Sequence, residues 1–173
     1  MNTKLATELQ KMVDSDQKAI QKRQKKGVVN VRILKLNTKR LKEIVASYGW
    51  PSVSLVGKEG SKNAWLLVQH AYHDLRFQKK CLALMSRAAK KNPEDIIPMH
   101  IAFLTDRIRV NEGKPQKFGT QFYTNKKEEF TYWPVRDIKN VDKRRAAYGI
   151  EPFAEYVEAA KSFQLAPIKT ILK

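Results

Sequence analysis

Ser61-Lys62-Asn63-Ala64-Trp65-Leu66-Leu67-Val68-Gln69-His70-Ala71-Tyr72-His73-Asp74-Leu75 is the run that decides the fold class. A serine able to cap a helix precedes Trp65, Leu66, Val68, Ala71 and Leu75. These form a broad apolar stripe at helical spacing, with no glycine or proline to interrupt it. Phe77, Cys81, Leu82 and Leu84 continue the stripe, and Asn92-Pro93 breaks it. The pattern predicts a central helix over 62–74 that can run on to Lys91.

Upstream, Leu5, Leu9, Met12 and Val13 mark a helix from Thr3 to Lys26, closed by Gly27. Weak alternation of Val29, Val31 and Ile33 predicts a short extended piece within 27–36. Asn37 or Thr38 then caps a helix over 39–48 with Leu41, Ile44 and Val45 inward. Gly49 stops it, and Trp50-Pro51 opens a turn-rich stretch to Gly60. Downstream, Ile97, Ile101, Leu104 and Ile108 define one face of a helix over 98–111. Residues 116–133 then gather Phe118, Phe122, Tyr123, Phe130, Tyr132 and Trp133 around a polar turn, Thr124 to Lys127. That texture predicts a β-hairpin or an ordered aromatic loop. Helices over 137–148 and from Pro152 to Phe163 complete the chain. The expectation is a mainly α, single-domain bundle of about six helices spanning 1–173, with the hairpin or aromatic loop near 116–135.

Bulk properties narrow the class. Hydrophobic residues make up 42% and charged residues 29% of 173, the balance of a globular chain that buries a core. No apolar run approaches the roughly eighteen residues that a membrane span needs. The first sixteen residues lack the apolar stretch of a secretory leader, so the cytoplasm is the expected home, with signal-independent export left open. Cys81, the single cysteine, reads as a small buried hydrophobe in a helical stripe. The net charge of +17 favours nucleic acid or an acidic protein as partner, through the Lys/Arg-rich segments 18–42 and 76–91. A solvated lysine-rich surface explains the same charge without a partner.

Two windows carry polar groups that a plain core helix does not need. In Gln69-His70-Ala71-Tyr72-His73-Asp74, a continuous helix would put His70 and Asp74 on one face, where the carboxylate orients the imidazole as a general base. The pair also suits a metal, but the spacing supplies no further ligands. No metal is assigned, and the cofactor stays unspecified. The second window runs from Thr105-Asp106-Arg107 to Gly119-Thr120-Gln121. Its amides and hydroxyls suit either a ligand pocket or a loop pinned by its own side chains.

Taken together, these runs resemble a family. Asp16-Gln17, Gly49-Trp50-Pro51, Gln69-His70-Ala71 with Asp74 and Gln78, Thr105-Asp106-Arg107, Gly113 with Gln116, Gly119-Thr120-Gln121, and Asp142-Lys143-Arg144-Arg145 with Gly149 carry the likeness. The chain is similar, over about residues 5–156, to a widespread bacterial family of unknown function. The resemblance implies a small helical domain and no activity. It points to Asp16, Gln17, Trp50, Gln69, His70, Asp74, Gln78, Asp106, Arg107, Gln116, Thr120 and Gln121. Tyr72 departs from an acid common in the family, and Phe118 from a tyrosine.

The sequence therefore supports two functional readings. The first is a pocket protein, a hydrolase or transferase for a small polar or phosphorylated substrate. There His70, Asp74, Asp106 and Arg107 are catalytic, and Gln69, Gln116, Thr120, Gln121, Asp16, Gln17 and Trp50 bind ligand. The second is a basic helical module that binds nucleic acid or an acidic protein without catalysis. A plainer account has the polar residues tie the helices to the hairpin and do nothing else.

Overall fold

A computed structural model describes residues 1–26 and 31–162, with the side chains of 22–26 left aside. Among these residues the elements in order are α1 (Thr3–Lys26), α2 (Val31–Tyr48), α3 (Val53–His70), α4 (Leu75–Lys91), α5 (Pro98–Asn111), β1 (Phe122–Thr124), β2 (Phe130–Tyr132), α6 (Val141–Ala146) and α7 (Phe153–Ser162). Short 3-10 turns occupy Pro93–Asp95 and Ile138–Asn140. The mainly α class with one small hairpin is the observed architecture. Backbone contacts divide the chain into two compact units, Met1–His100 and Ile101–Lys173, the boundary falling in the first turn of α5.

In the first unit α1 packs chiefly on α3 and also on α2. Leu5, Leu9, Met12 and Val13 meet the inward faces of α2 (Leu34, Leu41, Ile44, Val45) and α3 (Val56, Ala64, Leu67, Val68). Burial of such side chains, about 1.5–3 kcal/mol each, is what holds helices of mediocre intrinsic propensity together.

Three boundaries differ from the sequence expectation. The helix expected over 39–48 begins at Val31, so residues 31–36 are helical and not extended. The expected caps serve other partners: Thr38 Oγ1 donates to the Leu34 carbonyl one turn back, and Asn37 Nδ2 donates to Met12 O on α1. The stretch expected to be turn-rich up to Gly60 is the first half of α3. It tolerates Gly57 because that residue kinks the helix at φ +76°. The expected run through Asp74 to Lys91 is broken at Ala71–Asp74. Gln78 Nε2 donates to the Val68 carbonyl that the end of α3 exposes, at 2.9 Å, while Asp74 Oδ1 accepts from Phe77 N and caps α4. The part of the expected extended piece at 27–30 and the end of the last helix at Phe163 lie outside the described residues.

The second unit is built around the aromatic segment. β1 and β2 pair antiparallel, with Phe122 opposite Tyr132 and Thr124 opposite Phe130. Phe122 stacks on Phe130, and Tyr156 of α7 packs against both Phe103 and Phe122. Phe118 is 1% exposed and meets Tyr148 edge-on, beside buried Leu104, Ile108, Val141, Ile150 and Phe153.

Candidate functional site

In the first unit one carboxylate–imidazole pair stands out from the core around it. Asp16 lies in the middle of α1 and is 1% exposed; His70 is the last residue of α3. Asp16 Oδ2 and His70 Nδ1 share a short hydrogen bond, and the His70 side chain keeps 19% of its surface accessible. A carboxylate accepts hydrogen bonds, so the neutral imidazole carries its proton on Nδ1 and leaves the Nε2 lone pair unprotonated. The break after His70 sets this arrangement. Had the helix continued, residues 71–74 would have stacked a further turn beyond the ring.

The turn itself is charged. Asp74 pairs with Lys42, and this hydrogen bond, together with the cap to Phe77 N, holds its carboxyl below the usual range against a partial desolvation. Burial of the ring lowers the pKa of His73. Lys35 and Lys42 push it further down, while Asp74 works the other way. Cations at positions 35 and 42 therefore stand close to the turn that carries the two histidines.

The second unit places its polar window in a different arrangement. Asp106, fully buried on α5, uses both oxygens on the loop after the helix. Oδ1 accepts from Lys117 N at 2.6 Å, both oxygens from Phe118 N at 3.1 Å, and Oδ2 from Thr120 N at 3.0 Å and Thr120 Oγ1 at 3.1 Å. Burial raises its pKa, and these donors pull it back. Gln116 joins the loop to the hairpin: Nε2 donates to Gln121 O and Trp133 O, and Oε1 accepts from Gln121 N. Gln121 Nε2 in turn donates to Thr120 Oγ1.

Arg145 of α6 completes the loop's support. It is 0% exposed, donates from Nε to Glu151 O and from Nη1 to Phe118 O, each at 2.6 Å, and lies 4.8 Å over the Tyr156 ring. Burial lowers its pKa, with Glu151, Tyr156 and Asp142 pulling the other way, and burial pushes the Tyr156 hydroxyl up to about 12. The preceding Arg144 donates to the carbonyls of Lys117, Arg136 and Asp137. In the sequence this arginine pair belongs to the family likeness and carries no assigned role. The clue available was two adjacent cations after an aspartate, and Asp142 Oδ1 does accept from Phe153 N to start α7.

The residues expected to act together separate as follows. Asp16 and His70 meet. Asp74, expected to orient His70 from one turn away, is instead the cap of α4, because the helix stops between them. Asp106, Gln116, Thr120 and Gln121 form one network in the second unit, in which they bond to each other and to the backbone. Arg107 lies in the same unit, and burial draws its guanidinium pKa down to about 10. Gln69 and Trp50 are buried in the first unit, and Gln17 is half-buried beside Asp16 in sequence. Cys81 is buried and its thiol is pushed up to about 12, which suits a packing residue and not a nucleophile. Among the described residues no group of three or more His, Cys, Asp or Glu is arranged to hold a metal. None of the described helices is long and apolar enough to cross a membrane.

Two surface hollows of the second unit lie at the hairpin. One of about 310 Å³ is lined by Phe122, Phe130, Tyr132, Val157 and Lys161 with polar neighbours. None of the residues expected to bind ligand lines it.

A family model described as a family of unknown function, DUF6624, matches residues 4–165. No curated protein and no solved structure matches the chain.

Proposed function

The chain belongs to the DUF6624 family, and we propose that it is an acid–base enzyme, a hydrolase or transferase acting on a small polar or phosphorylated substrate, with His70 as the group that moves the proton. The observation that carries this reading is the Asp16–His70 pair, a buried carboxylate fixing one nitrogen of an imidazole whose side chain stays partly accessible. Asp16 orients the ring and stabilises the imidazolium formed when Nε2 takes a proton from water or a substrate hydroxyl. Lys35 supplies positive charge near the turn, Lys42 being paired with Asp74, and this charge favours an anionic substrate. Asp106, with both oxygens occupied by the loop, serves as a scaffold and not as a second acid. A lone, buried cysteine fits a reducing cytoplasmic setting.

The test is a panel of chromogenic phosphate monoesters, phosphodiesters and carboxylic esters, assayed with the wild type and with His70→Asn and Asp16→Asn. Turnover by the wild type that falls roughly 10²–10⁴-fold in His70→Asn, with an unchanged circular dichroism spectrum, supports the reading. Turnover that survives His70→Asn contradicts it.

A further inference from the structure

The last turn of α4 repeats its first. Arg76-Phe77-Gln78-Lys79-Lys80 and Arg87-Ala88-Ala89-Lys90-Lys91 carry the same cations at the same spacing, displaced by eleven residues. Eleven residues make almost a whole number of helical turns, at about 3.6 residues each, so the second triplet lies nearly above the first, rotated by only about 20°. All six cations fall within an arc of about 120° on one side of the helix. All six are exposed, and α4 contains no acidic residue. The opposite side carries the buried Phe77, Gln78, Cys81 and Met85, so packing in the core turns the basic side to solvent.

From this geometry we infer that α4 is a docking surface for duplex nucleic acid, gripping the phosphate backbone without reading bases. Arg76, Lys80, Lys90 and Lys91 enter none of the ion pairs among the described residues, and Arg87 donates only to the Ala83 carbonyl. Their charge is therefore not cancelled locally. At about 1.5 Å rise per residue the two triplets stand about 16 Å apart. That separation lets each triplet meet one phosphate ridge beside a major groove about 12 Å wide, once the thickness of the ridges is added. A membrane surface fits less well, because the exposed residue between the triplets is Ala83 and the basic arc offers no large apolar group to insert. The surface is independent of the chemistry at His70.

The test uses the full chain and a labelled 20-base-pair DNA duplex of arbitrary sequence, with binding followed by fluorescence anisotropy from about 50 to 200 mM NaCl. One variant replaces Lys80, Arg87, Lys90 and Lys91 by Gln. The control replaces the exposed Lys4, Lys11, Lys58 and Lys139 by Gln, with the same loss of net charge. Five phosphate contacts, from Arg76, Lys80, Arg87, Lys90 and Lys91, predict a wild-type slope of log K against log salt of about −4.5, flattened by about 3.6 in the α4 variant. The α4 variant should bind at least about 30-fold more weakly at low salt, and the control within about threefold of wild type. Equal losses in the two variants, absence of wild-type binding at the lowest salt, or binding to phosphatidylserine vesicles without binding to the duplex would each overturn the inference. Circular dichroism confirms that both variants are folded.

Discussion

Asp106 and Arg145 hold the same short loop through opposite groups of its backbone. The carboxylate takes the N–H groups of Lys117, Phe118 and Thr120, and the guanidinium takes the carbonyls of Phe118 and, more distantly, Gly119. Peptide groups that would be orphaned beneath the aromatic hairpin are thereby satisfied, at the cost of burying one acid and one base. This gives the Asp-Arg, Gly-Thr-Gln and Arg-Arg stretches of the sequence a common structural purpose.

Replacing Asp106 by Asn tests that purpose. The site offers only donors, so an amide NH₂ must face backbone N–H groups. A loss of about 2–4 kcal/mol follows, read as a lower urea midpoint with little change in slope. Arg145→Lys should cost a similar amount, and the double variant should lose less than the sum, because either change alone frees the same loop. Additive losses would mean that the two side chains act on separate structures.

Gly119 provides a sharper comparison. Its φ is +70°, and an added Cβ would lie 2.8 Å from Phe153 Cδ2. Gly113 has nearly the same φ, +69°, and open space around it. Gly113→Ala should therefore cost about 1 kcal/mol, the conformational penalty alone, and Gly119→Ala about 3 kcal/mol or more, as overpacking is added. Thermal melts of the two variants decide the matter; equal shifts would show that Phe153 yields freely.

His100 predicts the acid limb of stability. It is buried, stacks on Trp65 at 4.1 Å between ring centroids, and burial lowers its pKa to about 4, with Lys62 adding to the effect. The unfolded chain, with an ordinary value of about 6.5, binds the proton first as pH falls. The contribution is thus fully present above about pH 6.5 and is lost on the way down to about pH 4, reaching about 2–3 kcal/mol. Urea unfolding followed by tryptophan fluorescence should show a shallower pH dependence in His100→Phe, which keeps the stack and removes the titration. Parallel curves would assign the acid sensitivity to other groups.

Much of this was legible in the sequence, and particular residues show where legibility ended. The apolar stripes of α1, α3 and α5 and the aromatic pairs of the hairpin place those elements because their burial repeats at helical or strand spacing. The stop at Ala71–Asp74 was hidden, since no glycine or proline marks it. Asp74 looks like a helical neighbour of His70 until Phe77 N is seen bonded to it. The start of α2 was hidden for the converse reason: Asn37 and Thr38 have the chemistry of caps but spend it inside a helix. In the candidate site, His70 is legible from its own polar window, whereas Asp16 is marked only by the resemblance. Their partnership spans 54 residues and no local pattern encodes it.

Asp16→Asn follows from that partnership. The variant keeps the size of the side chain but replaces a charged acceptor by a neutral amide. Any turnover by the wild type should fall by about 10²-fold or more as the ring loses its orientation and the imidazolium its counter-charge. Denaturant titration would show a smaller relative effect on folding. A variant that unfolds while residual activity per folded molecule is unchanged would assign Asp16 to packing alone.

The most direct examination is long-range ¹H–¹⁵N correlation spectroscopy of the His70 ring in its neutral form. The Asp16–His70 hydrogen bond requires a protonated Nδ1 and a bare Nε2. In Asp16→Asn the ring should lose this preference. A neutral His70 in the wild type with its proton on Nε2 would rule out this role for His70, since the nitrogen meant to accept a proton would already carry one.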